Sequence, residues 1–213
     1  MSEAAAERHR IFLLSPAFAG GIRGKMLLRP EAKFDLAVRL HDGGLPLGEA
    51  FAFISGLYFR GKLAYAEAFA APPEGIPGAF VISAGHGLVP PETVVTLEQF
   101  QYMASIPVDA AEARYREPLE RACRTLAEIT GPDCDFVLLG SVATLKYLEP
   151  IVGVFGHRLL FPEDFVGRGD MSRGGLMLRC VSEGRELAYV RLAGAVRHGP
   201  RPARLPPARK PAL

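Results

Sequence analysis

Residues 165–175, Phe-Val-Gly-Arg-Gly-Asp-Met-Ser-Arg-Gly-Gly, gather four glycines, two arginines, an aspartate and a serine between two apolar runs. This mixture suits recognition of an anion. Gly167 and Gly169 free the backbone for positive φ and for close approach to a ligand. Arg168 and Arg173 offer rigid forks of donors that match phosphate or carboxylate, and Ser172 adds a hydroxyl. Asp170 has three readings. It pairs with the flanking arginines to hold the loop closed, it serves as a carboxylate base, or it orients a ribose hydroxyl as acidic residues do in nucleotide sites.

Three more stretches share a pattern in which an apolar run ends on a small polar residue. Ser15 follows Ile11-Phe12-Leu13-Leu14 and precedes Gly20-Gly21-Ile22-Arg23-Gly24-Lys25, where backbone N–H groups and two cations can meet a phosphate. Ser83 follows Ala79-Phe80-Val81-Ile82 and precedes Gly85-His86-Gly87. Gly140-Ser141 follows Phe136-Val137-Leu138-Leu139. His86 is the best general acid or base of the five histidines, because an imidazole titrates near neutrality and its glycine neighbours admit a substrate. Lys62 and Lys146 could add charge for a phosphate. Each feature also has a structural reading: glycines build tight turns, His86 bonds to backbone, and Arg23, Lys25, Lys62 and Lys146 are solvated cations. The three strand ends together tilt the balance toward a site.

Several chemistries lack their signatures. Met26 breaks the GxxxxGK[ST] spacing, and GxGxxG, GxSxG and HExxH are absent. Cys123, Cys134 and Cys180 are far apart and form no CxxC pair. No metal site and no cofactor is therefore expected, and the thiols fit a reducing, cytoplasmic setting.

The elements that position these residues follow from periodicity and punctuation. Strands are expected over residues 11–14, 79–83, 135–139 and 157–161. Helices are expected over residues 30–40, opened by Pro30; over 57–70, with Leu57, Leu63, Ala64, Tyr65, Ala68 and Phe69 as its apolar face; over 110–129, interrupted at Pro118; and over 141–147, capped by Ser141. Residues 175–181 and 186–192 read as a hairpin. Alternating strands and helices predict an α/β fold with a mostly parallel, Rossmann-like sheet, helices on both faces and a C-terminal antiparallel hairpin. In such sheets ligands bind beyond the carboxyl ends of the strands.

The 213 residues suffice for one domain, expected over 11–196 after a flexible N-terminus at 1–10. Net charge is +2, but residues 191–213 hold six basic and no acidic side chains, so the rest of the chain is mildly acidic. The Pro/Arg-rich residues 197–213 are expected to be disordered. No signal peptide or membrane span is expected.

Leu57-Tyr58-Phe59-Arg60-Gly61-Lys62-Leu63-Ala64-Tyr65-Ala66 and then Ser83-Ala84-Gly85-His86-Gly87-Leu88, followed by the strand at 137–140 and by Tyr147, resemble bacterial YaaA-type (peroxide-stress) proteins and their uncharacterised relatives. The resemblance spans about residues 55–162, and its specific part is 83–88. The first loop departs from it: Ser15-Pro16 and Gly20-Gly21 stand where a cysteine or a lysine-rich turn is common. The resemblance implies an α/β fold and a link to nucleotide or nucleic-acid biology, including DNA modification, with no established reaction. The leading expectation is a protein that binds a nucleotide, nucleoside or nucleic-acid phosphate. If it is an enzyme, His86 or Asp170 moves protons at a glycosidic bond. The alternatives are a non-catalytic nucleic-acid module using the basic tail, and an assembly or scaffold protein that oligomerises.

Overall fold

The computed structural model describes residues 8–143 and 147–203. It is an α/β protein whose main sheet has six strands. β1 (His9–Leu14), β3 (Ala79–Ser83), β6 (Cys134–Leu139) and β7 (Leu159–Pro162) run parallel. β4 (Gly87–Val89) and β8 (Tyr189–Arg191) pair antiparallel at the two edges, giving the order β4-β3-β1-β6-β7-β8. β2 (Leu45–Pro46) and β5 (Val94–Val95) form a separate short ribbon.

The central strands are apolar over residues 11–14, 79–82 and 136–139 because both of their faces are covered there. Phe12, Leu14, Val81, Val137 and Leu139 point to one core, packed by α3 (Leu47–Ser55), α4 (Leu57–Phe69), α5 (Leu97–Ser105) and α8 (Asp170–Glu183). Ile11, Leu13, Ile82, Phe136 and Leu138 point to the other, packed by α6 (Ala113–Thr130) and α7 (Leu148–Phe155). α1 (Ile22–Leu27) and α2 (Asp35–Asp42) lie on the first side. Helices therefore cover both faces.

The chain leaves β1, crosses to β3 on one side, and returns to β6 on the other. The order of the parallel strands thus reverses between β1 and β6. That point leaves a crevice at the strands' carboxyl ends, where ligands bind in sheets of this kind.

Five local readings of the sequence are corrected. Residues 175–181 lie inside α8, so the C-terminal antiparallel pairing is made by β8 on β7 and not by a local hairpin. Leu176, Met177 and Cys180 share the buried face of that helix, a 3.6-residue period that the apolar run obscures. The first loop contains α1. The helix expected from Pro30 starts at Asp35. α6 runs through Pro118 without a break. Residues 144–146 lie outside the description, and α7 begins at Leu148, so the helix expected over 141–147 is not formed at Val142 and Ala143.

α4 and α8 pack closely at two glycines. A Cβ on Gly61 would stand 2.8 Å from the Gly174 carbonyl oxygen, and one on Gly174 would stand 2.8 Å from that of Leu57. Glycine at both positions lets backbone rest on backbone.

Candidate functional site

The close crossing sets the geometry of the site, because Lys62 follows one of its glycines and Arg173 precedes the other. Along α4, Tyr58, Lys62, Tyr65, Ala66 and Phe69 recur at helical spacing on one face. Lys62 is therefore carried inward and is 1% exposed. Its Nζ donates to the Ser15 carbonyl at 2.9 Å and to Ser15 Oγ at 2.7 Å. The amine also lies 4.0 Å from the centre of the Tyr58 ring and 5.3 Å from that of Phe59, a cation–π arrangement. Burial pulls the Lys62 ammonium down to about 7; Asp170 opposes this and Arg173 reinforces it. The reading of Lys62 as a solvated cation is thus corrected.

Arg173, 6% exposed, donates from Nε and Nη2 to the Phe165 carbonyl and from Nη1 to Asp170 at 3.3 Å. The Tyr58 hydroxyl is buried and, among the described residues, meets no partner at hydrogen-bond geometry, although the Arg173 guanidinium lies near enough to act on it. Burial raises its pKa, and Arg173, Asp170 and Tyr147 act on it electrostatically. Tyr147 donates to the Ser141 carbonyl at 2.6 Å, and burial pushes its phenol up to about 12. Gly140 is required by a close approach: a Cβ there would lie 2.7 Å from Ser15 Cβ and 3.1 Å from the Tyr147 hydroxyl. Ser15, Tyr58, Lys62, Gly140, Ser141, Tyr147, Asp170 and Arg173 thus meet at the reversal point between β1 and β6.

Beside this cluster lies a crevice of about 730 Å³, lined by Ser141, residues 167–173 and, from the C-terminal stretch, Arg197, His198, Gly199 and Arg201. Residues 197–201, expected from composition to be disordered, therefore contribute a basic wall. Gly167 has φ +71, and a Cβ there would overlap the Pro200 carbonyl oxygen. Arg168 is fixed by the Asp164 carbonyl at 2.8 Å and reaches Ser172 at 3.4 Å. Gly169 caps α8 with no side-chain bond, leaving the uncapped positive end of a 14-residue helix at the crevice.

The other sequence candidates have different surroundings. Ser83 donates to the Met103 sulfur. β3 then turns back into β4, with Gly85 and Gly87 each at φ +77, as a tight turn requires. A Cβ on Gly87 would meet the Pro118 carbonyl at 2.5 Å. His86 Nδ1 lies 3.2 Å from the Ala84 carbonyl and its ring packs edge-on to Tyr102. Gly20 lies against the Ala104 carbonyl, and Gly21 N–H bonds to the Phe18 carbonyl. Arg23 donates to the Phe53 carbonyl at 3.1 Å, and Lys25 is exposed. The crevice that Arg168 lines includes neither His86 nor Arg23. Lys146 lies outside the described residues.

Sequence reasoning weighed Lys62 as an added phosphate charge but favoured a solvated helix position, and it did not place Tyr58 and Tyr147 beside these residues. The signal for Lys62 was its i+4 spacing from Tyr58 and its i−3 spacing from Tyr65. Among the described residues no group of three His, Cys, Asp or Glu side chains is placed to hold a metal, and no helix is long and apolar enough to cross a membrane. Comparison with protein-family models, with curated proteins and with solved structures returned no significant match.

Proposed function

We propose that this protein binds a phosphate-bearing nucleotide unit, free or at the end of a nucleic-acid strand, at the reversal point of a Rossmann-like sheet. The observation that carries this reading is the pair of buried cations, Lys62 and Arg173, beside the uncapped start of α8. A buried cation is costly unless compensated. Among the described residues, Asp170 is the carboxylate that acts on this pair, and its side chain is 65% exposed. An anion bound in the crevice would supply the missing charge, and the Tyr58 hydroxyl would gain a partner. Arg168, Arg197 and Arg201 line the same crevice and extend the positive surface for further phosphates.

The nucleic-acid module that the basic tail suggests converges on this place, since the tail's described part forms one wall of the crevice. Tail and pocket are then one binding surface. The YaaA-type resemblance points to the same ligand class. Catalysis by His86 receives no support from its surroundings and is not part of the proposal.

Calorimetric titration with nucleoside monophosphates and short single-stranded oligonucleotides tests it. Binding should weaken with added salt. Arg168→Ala should lower affinity about tenfold or more, as expected for loss of a charge-assisted contact. No heat with any of these ligands, together with identical behaviour of wild type and Arg168→Ala, would remove the proposal.

A further inference from the structure

The contact between Lys62 and Ser15 does more than complete a positive site. A lysine placed only to attract an anion would direct its amine at the crevice. Here both of its hydrogen bonds go to one serine, and one of them, at 2.7 Å, is to the hydroxyl. The acidic group that acts on this amine, Asp170, pairs with Arg173 instead. Ser15 is the first residue beyond the carboxyl end of β1, beside Gly140, whose missing side chain leaves room next to its Oγ: a Cβ there would stand 3.0 Å from that oxygen.

We propose that Ser15 is a nucleophile activated by Lys62, and that the pair opens a phosphodiester or phosphoanhydride whose phosphate is held by Arg173 and the start of α8. This rests on the phosphate-binding reading above and adds a reaction to it. Neutral Lys62 takes the Ser15 proton while Oγ forms a bond to phosphorus. The bond from phosphorus to the leaving oxygen breaks, its electron pair stays with that oxygen, and the Lys62 ammonium returns the proton to it. Water then attacks the phosphoseryl phosphorus and gives a proton to Lys62. The P–Oγ bond breaks, and the Ser15 oxygen recovers the proton. One water is consumed and the side chains are restored.

The surroundings suit this cycle. The charged and titratable groups that act on or lie against the amine are Asp170 and Arg173 from α8 and Tyr58 from its own helix, with Ser15 from β1 as its hydrogen-bond partner. Burial leaves a large neutral fraction at neutral pH, which a base requires. Arg173 and the helix end stabilise the charge that grows on the phosphoryl oxygens. Tyr147 stands beside Ser15 and Gly140.

A fluorophosphonate probe, read by peptide mass spectrometry, tests the inference. In the wild type one label should form on Ser15, at a rate that rises with pH and levels off above a midpoint near 7. Lys62→Met should slow labelling about a hundredfold, the scale of general-base catalysis. Ser182→Ala, at the far end of α8, where the hydroxyl donates to the Arg179 carbonyl, should be labelled like the wild type, and Ser15→Ala should take no label. Absence of label at Ser15 in folded wild type overturns the inference, as does an unchanged rate in Lys62→Met. If that variant does not fold, the wild-type profile decides, and a flat rate between pH 6 and 8 overturns it. Calorimetry on Ser15→Ala separates the two proposals: nucleotide binding without wild-type labelling removes the nucleophile and keeps the binding site.

Discussion

Two neighbouring strands, β1 and β3, each bring a serine to the carboxyl end, Ser15 just past β1 and Ser83 as the last residue of β3, with glycines further on, yet the structure uses the two ends differently. After Ser83 the chain reverses at once into β4, so Gly85 and Gly87 are consumed by the turn and the serine hydroxyl by Met103. After Ser15 the chain leaves the sheet beside β6, at the reversal in strand order, and a lysine from α4 reaches the serine. Topology separates the ends. Of these two strand ends, the one at the reversal in strand order is the one that meets a buried lysine.

The largest expected effect that would break this contrast concerns Lys62. Its pKa in the unfolded chain is near the ordinary 10.5, whereas burial holds it to about 7 in the folded protein. Between those values the unfolded state binds more protons, so stability rises with pH. The whole excursion is at most roughly 5 kcal/mol, and ionisation of tyrosines in the unfolded chain cuts it off near pH 10. Urea unfolding at pH 7, 8 and 9 should show this rise in wild type and a much flatter dependence in Lys62→Met. Equal slopes in the two proteins would mean that the amine is not held as described.

The next effect concerns what positions that lysine. Gly174→Leu places side-chain atoms where the Leu57 carbonyl and Tyr58 Cα stand, each 2.8 Å from the new Cβ. Overpacking of this kind should cost about 3 kcal/mol, seen as a drop in denaturation midpoint, and nucleotide binding should fall with it. On the other side of the comparison, Gly87→Ala should destabilise by about 2 kcal/mol, from positive φ and from contact with Pro118. Nucleotide affinity of the folded fraction should be unchanged. The smallest effect is expected for His86→Ala: a stability change within about 0.5 kcal/mol and wild-type nucleotide binding by calorimetry. A tenfold loss of affinity there would return the β3 end to the site.

Much of the fold was legible because its signals are local. The apolar runs at β1, β3, β6 and β7 read as buried strands, and the punctuation at Gly56 and Pro72 bounds α4 closely. α8 was not legible at its start. Asp170 through Gly175 has the composition of a loop, and its helical state depends on Gly174 resting on α4, a contact 113 residues away in sequence from Gly61. Arg168, Asp170, Arg173 and Ser141, which line one crevice, were each singled out in the sequence because charge and small residues declare themselves. Lys62 was not, because a lone cation in an amphipathic helix ordinarily faces water, and only the helical spacing to Tyr58 and Tyr65 argued otherwise. Arg23, Lys25 and His86 illustrate the converse. Suitable side chains on glycine-rich turns find local carbonyls and rings when the topology leads them elsewhere.

Where α4 meets α8, main chain presses on main chain, so rotamer adjustments have no slack to offer at that joint. The amine sits one residue beyond the joint on one helix, the guanidinium one residue before it on the other. A pull on either arm moves a rigid segment and not a single side chain. The separation of the two positive groups is consequently a property of the joint itself, and substitutions among the surrounding apolar residues would leave it nearly constant.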